Sequence, residues 1–92
     1  SITELTKLFH FMKQNESLRI EIGGHTDNVG DKDANLILSR NRAQAVANFL
    51  VKKGIARARI VTRGYGEEQP IDANETEKGR ANNRRTEITI IN

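Results

Sequence analysis

The sequence predicts a small α/β domain: a two-layer sandwich of one mixed β-sheet with helices on one face. Three observations carry this. The chain has 92 residues, 36% of them hydrophobic and only four aromatic, which suits one domain with a modest aliphatic core. The apolar pattern switches along the chain between a helical period and strict alternation, in the order α-β-α-β-(α)-β. Strands separated by helices imply crossover connections, which make some strand pairs parallel. Residues 1–92 therefore form a single domain, with no internal repeat, low-complexity tract or linker.

Ser1 to Asn15 reads as a helix, because Ile2, Leu5, Leu8, Phe9 and Met12 recur at steps of three and four. Leu18, Ile20 and Ile22 alternate with Arg19 and Glu21, the pattern of a strand with one buried face. Gly23 and Gly24 are expected to end it, and Gly30 to Asp33 to form a loop. Ala34 to Lys53 is helical again, with Ala43, Val46, Ala47 and Leu50 as its core stripe. Lys52 and Lys53 suit the negative end of the helix dipole, and Gly54 is a C-terminal stop. Ile55 to Ala58 connects to a short strand, Arg59 to Arg63, followed by a loop from Gly64 to Pro70. Thr76 caps a short helix running to Asn83, weakened by Gly79. Arg85 to Ile91 is the last strand, with Ile88 and Ile90 on one face.

The totals exclude several classes. The chain has no cysteine, which removes disulfides, thiolate zinc sites and thiol catalysis. No apolar run approaches the roughly 20 residues of a membrane-spanning helix, and no signal peptide opens the chain. The opening "SITEL" is already helical, so the sequence reads as a domain excised from a longer protein. The net charge of +3 fits an anionic partner without requiring one.

The dense polar run in "IEIGGHTDNVG", Ile20 to Gly30, demands a chemical reading. A zinc site needs three or four protein ligands, and the chain has two histidines, His10 and His25, without ligand spacing, so no metal or other cofactor is expected. Ser39, His25 and Asp27 resemble a hydrolytic set only in residue type; no G-x-S-x-G elbow is present, and His25 reads as a turn residue. Nine of the fifteen basic residues are arginine, but they are scattered and lack interleaved aromatics, so no nucleic acid is expected. The remaining possibility is a zwitterion site. Asn35, Leu38 or Ser39, and Arg42 share one helix face near the helix start, where amides and dipole favour an anion. Arg42 adds a planar fork for a carboxylate, and Asp27 offers an acceptor for an ammonium. A plain Asp27–Arg42 ion pair locking the loop is an equally valid reading of the same residues.

"GGHTDNVG", "NLILSRNRAQAVANFLVKKGI", "RIVTRGYGEEQPI" and "NETEKGRANNRRTEITI" together resemble the OmpA-like C-terminal domain, over Leu18 to Asn92. The family occurs in outer-membrane porins, peptidoglycan-associated lipoproteins and flagellar stator proteins. The resemblance implies non-catalytic binding of peptidoglycan through the diaminopimelate residue of its stem peptide. It also implies a periplasmic location, anchoring an outer-membrane or envelope protein to the cell wall. An enzyme acting on cell-wall peptides, or a ligand-free protein-interaction domain, is the competing expectation. By the resemblance Asp27 and Arg42 make the main polar contacts, supported by Thr26, Asn35, Leu38 and Arg84. The sequence departs from the family pattern in showing no strand before the first helix, which leaves a sheet edge open. It departs also at Thr86, where an apolar β-branched residue is usual.

Overall fold

The computed structural model describes residues 2–92. In order they form α1 (Ile2–Gln14), β1 (Ile20–His25), α2 (Lys32–Lys53), a 3₁₀ turn (Arg57–Arg59), β2 (Ile60–Gly66), α3 (Glu77–Asn83) and β3 (Thr86–Ile90). The expected start of the first helix at Ser1 lies outside the described residues, as does the Ile2 side chain. The sheet order is β2-β1-β3. β1 runs parallel to β2 and antiparallel to β3, so the sheet is mixed as the sequence predicts.

The helices cover one face. Met12 of α1 and Ala43, Ala47 and Leu50 of α2 close over Ile20 and Ile22 of β1, with Ile55 at the margin. Leu8, Phe9, Val46 and Phe49 pack around this cluster. Arg59 fastens α1 to the sheet. Its guanidinium donates to the carbonyls of Met12, Asn15 and Leu18 at 2.8, 2.7 and 2.9 Å. The first two lie at the end of α1, where carbonyls lack the regular intrahelical partner, and the third lies just before β1.

Several element boundaries differ from expectation; α1 ends at Gln14, β1 starts at Ile20 and β3 is trimmed to Thr86–Ile90, and four further differences have a packing or capping reason. β1 does not stop at Gly23 and Gly24; it continues through them to His25. Gly24 is there because α2 lies against it: a Cβ would sit 2.1 Å from the Ser39 carbonyl oxygen. Likewise β2 extends past Arg63 through Gly64 and Tyr65 to Gly66, and a Cβ on Gly64 would meet Arg40 Cγ at 2.4 Å. The glycines mark a close approach of helix to sheet, not a chain reversal. Arg59 belongs to the 3₁₀ turn and not to β2. α2 starts two residues early, at Lys32, because the Asp31 carboxylate accepts from the Ala34 amide at 2.9 Å and caps it. Its C-terminus is capped by Gly54 in the left-handed region, as predicted.

α3 follows the sequence reading, with Thr76 Oγ1 accepting from the Gly79 amide at 3.0 Å. β3 is an edge strand with all five residues exposed. Ile88 and Ile90 lie opposite Ile22 and Ile20 and so share the helix-facing side, yet remain 40% and 55% exposed. Ile88 faces an open groove lined also by Leu5, Leu8 and Val46.

Candidate functional site

The carboxyl end of β1 delivers His25, Thr26 and Asp27 into the interior, all three buried. The backbone here is held from both neighbours: His25 N–H donates to Arg85 and Thr26 N–H to Gly66, each at 2.9 Å. His25 is 1% exposed and stacks on the Tyr65 ring at 5.0 Å between centroids. Among the described residues neither ring nitrogen has a hydrogen-bond partner. Burial, and then the Arg85 charge, push its pKa below the usual histidine value, so the imidazole is neutral at physiological pH. Its Nε2 lies 3.7 Å from Glu87. His25 is thus a packing residue beneath Tyr65.

Asp27 is the centre of a polar network. Its Oδ1 accepts from the Val29 amide at 3.0 Å and its Oδ2 from Arg84 Nη1 at 2.8 Å. Arg84 also grips Glu77 at 2.7 Å. The Arg84 hydrogen bond is the main reason that Asp27 titrates below an ordinary aspartate, outweighing burial, with the Val29 amide adding to it. Thr26 Oγ1 donates to the Asp27 carbonyl at 2.8 Å. Asn35 Nδ2 reaches the Val29 carbonyl at 3.0 Å and, weakly, that of Asp27 at 3.4 Å. Four of the six expected residues, Thr26, Asp27, Asn35 and Arg84, therefore share one network.

The other two stand apart from it. Leu38 is 42% exposed on α2. Arg42 is half-buried and, among the described residues, has neither ion-pair nor hydrogen-bond partner. The Asp27–Arg42 pair that the sequence left open is not formed; Arg84 takes that place on Asp27. Arg42 does share a flank of α2 with Asn35, about 10 Å further along the axis at two helical turns. The expected support from the helix start is also absent. Asp31 already occupies the Ala34 amide, and Arg42 lies well beyond the first turn, where the dipole effect has decayed. Arg42 must act through its own charge.

Three contributors escaped sequence reasoning. Val29 acts through its backbone, which no side-chain pattern reveals. Glu77 is placed by α3, and its one signal is the shared turn with Arg80 and proximity in sequence to Arg84. Asn83 is fully buried and pins the loop before α3, accepting from the Ile71 and Asp72 amides at 2.8 and 3.0 Å. Among the described residues no group of three or more potential ligands surrounds a metal position, and no helix is long and apolar enough to cross a membrane.

A mixed three-stranded sheet, two helices on one face and a charged cluster at the end of the central strand define an α/β-sandwich domain with a polar site. Residues 1–84 match the OmpA family, and the chain belongs to that family. Outer membrane porin F of Pseudomonas fluorescens is 43% identical over 90 residues, 98% of this chain and 28% of that protein. The peptidoglycan-binding protein ArfA of Mycobacterium tuberculosis is 42% identical over 86 residues, 94% of this chain and 26% of that protein. The chain thus spans about a quarter of the length of these relatives. Among solved structures, the peptidoglycan-associated lipoprotein from Burkholderia pseudomallei superposes with a TM-score of 0.89 at 30% identity, covering 95% of this chain and 74% of that one. The cell wall anchor of the T6SS from Pseudomonas aeruginosa gives 0.81 at 29% identity, over 96% and 64%.

Proposed function

We propose that this domain binds peptidoglycan without cutting it, by gripping the diaminopimelate residue of a stem peptide, and so anchors an envelope protein to the cell wall from the periplasm. The names of its relatives, a peptidoglycan-binding protein, a peptidoglycan-associated lipoprotein and a cell wall anchor, support the coarser part of this reading. The finer part is supported by two charges of opposite sign that lie toward the same flank of α2, Asp27 beside Asn35 and Arg42 two turns further along. Asp27 is a buried carboxylate kept ionised, and Arg42 is a half-buried guanidinium with no partner among the described residues. The far end of a diaminopimelate side chain is a free amino acid. Its ammonium goes to Asp27, whose two oxygens hold two donors and retain acceptor capacity. Its carboxylate goes to Arg42, which offers a bidentate fork. Arg84 and Asn35 fix the Asp27 loop, Thr26 lies beneath it, and Leu38 provides an apolar wall. A stem peptide with lysine in this position lacks the side-chain carboxylate and leaves Arg42 unsatisfied.

Titration of stem peptides into wild type, Asp27→Ala and Arg42→Ala tests the assignment. Each variant should bind the diaminopimelate peptide about 10- to 100-fold more weakly, the range for a hydrogen bond to a charged group. Arg42→Ala should also lose the preference over the lysine peptide. Wild-type affinity in both variants would refute the site, and a folded domain that fails to sediment with diaminopimelate-type sacculi would refute the function.

A further inference from the structure

A second groove lies elsewhere, on the opposite flank of α2. It has a volume of about 580 Å³ and runs between α2 and the edge strand β2, lined by Arg40, Asn41, Gln44, Thr62, Arg63 and Tyr65. Helical geometry separates it from the Asp27 site. The buried stripe of α2 is Asn35, Ser39, Ala43, Ala47 and Leu50. At about 100° per residue, Arg40 falls roughly 80° to one side of that stripe and Arg42 roughly 80° to the other.

The lining is rich in unclaimed donors. Among the described residues Arg40 and Asn41 have no hydrogen-bond or ion-pair partner. Arg63 makes one ion-pair contact, Nε to Glu21 at 3.4 Å, which leaves its terminal nitrogens free. Among the strands, β2 pairs only with β1, which leaves its other side as a sheet edge up to Tyr65 and Gly66, where Glu68 and Ser39 take up backbone groups. Gly64 sets the groove's floor. The 2.4 Å that would separate a Cβ there from Arg40 Cγ means that the arginine stem is pressed against the strand, holding its head at the β2 edge. With Glu21 partly neutralising Arg63, the groove keeps an excess of positive charge centred on Arg40. A groove of this size with a pre-placed cation and few apolar walls fits an oxyanion-bearing chain.

We infer that this groove is a second subsite for the same wall polymer, taking a carboxylate of another stem peptide on the strand held at Asp27 and Arg42. The inference rests on the peptidoglycan reading above. Carboxylates recur along such a strand, and the two arginines stand on either side of one helix some 10–12 Å across. Once one stem peptide is clamped, the next is presented to Arg40 at high effective concentration. Two modest contacts then hold a polymer far better than a fragment.

The test compares wild type, Arg40→Glu and Lys52→Glu, all shown to be folded by circular dichroism. Lys52→Glu changes net charge equally at an exposed position of α2 outside the groove. The probes are purified muropeptides with one stem peptide, and glycan-linked fragments with two. Arg40→Glu should bind the single-stem fragment within about twofold of wild type and the two-stem fragment at least about tenfold more weakly. Lys52→Glu should retain both affinities. Three outcomes overturn the inference: unchanged two-stem binding by Arg40→Glu, an equal loss for both fragments, or an equal loss in Lys52→Glu. Arg40→Ala replacing Arg40→Glu must reproduce the direction; if only the reversed charge weakens binding, the groove is repelled and not a subsite. Failure of the underlying reading has a different signature, in which Asp27→Ala leaves single-stem affinity unchanged whatever Arg40→Glu does. Preferential capture of an acidic extended peptide by the β2 edge, with no effect of a second stem, assigns the groove to a protein partner and also overturns it.

Discussion

Gly24→Ala should be among the most damaging small substitutions in this chain, although it adds a single methyl group. The new Cβ would lie 2.1 Å from the Ser39 carbonyl oxygen and 2.9 Å from its carbon, both backbone atoms of α2. An ordinary carbon–oxygen contact is about 3.3 Å or longer, so the helix must give way by about 1 Å at that point. It is not free to do so. Ser39 is completely buried, and its Oγ accepts from the Gly66 amide at 2.9 Å, tying α2 to the end of β2. Displacement also loosens Ala43 from the core. Overpacking of this kind costs about 1–3 kcal/mol, and loss of the buried hydrogen bond adds about 1 kcal/mol. The sum, about 2–4 kcal/mol, corresponds to a fall in Tm of roughly 10–30 °C for a domain of this size. The measurement is urea unfolding with a matched thermal melt, and Gly30→Ala is the control. Gly30 has φ 89°, but a methyl group added there would meet nothing within 4 Å, so only backbone strain of about 1–2 kcal/mol applies. If Gly24→Ala costs no more than Gly30→Ala, the close approach does not set the helix position.

Two further outcomes follow from the polar network. Asp27 has its pKa lowered in the folded state, chiefly by Arg84, and Glu77 is lowered by the same guanidinium. Carboxylates depressed on folding contribute stability above their unfolded values, about 4, and lose it as pH falls through the folded values. Arg84→Met should therefore lower the urea midpoint at neutral pH, with the gap to wild type narrowing below about pH 4; a constant gap down the acid limb would contradict the assignment. Asn83→Ala leaves the Ile71 and Asp72 amides without their acceptor in a part-buried setting, and should cost about 1–3 kcal/mol. Hydrogen exchange at those two amides should accelerate selectively, and unchanged protection there would show that the loop is held by something else.

Element types were legible because each helix and strand carries its own period over enough residues. Boundaries were not, wherever tertiary packing decided them. Two glycines in "IGGH" look locally like a stop, and only the passage of α2 over Gly24 explains why extended backbone continues. The same holds for "RGYG", read as loop but built as the end of β2. The site was half legible. Helical spacing placed Asn35 and Arg42 on one flank, but of the two readings left open for Asp27 and Arg42 the direct ion pair is not formed. The actual partner, Arg84, comes to Asp27 through the short helix α3 and its capped approach, a placement that no local spacing encodes. The helix start was likewise credited with supporting an anion before its own cap, Asp31, was seen to occupy it.

The sheet order carries a consequence for the sequence of folding events. β1, the first strand in the chain, occupies the centre, and Ile20 finds Ile60 on one side and Ile90 on the other. No strand pair is a local hairpin. Helices α1 and α2 can form from neighbouring residues early, while the sheet waits for the far end of the chain. His25 is hydrogen-bonded to Arg85, and Asp27 to Arg84, both beside β3. The geometry around Asp27 therefore depends on residues almost sixty positions away, and a chain truncated before Arg84 could not reproduce it.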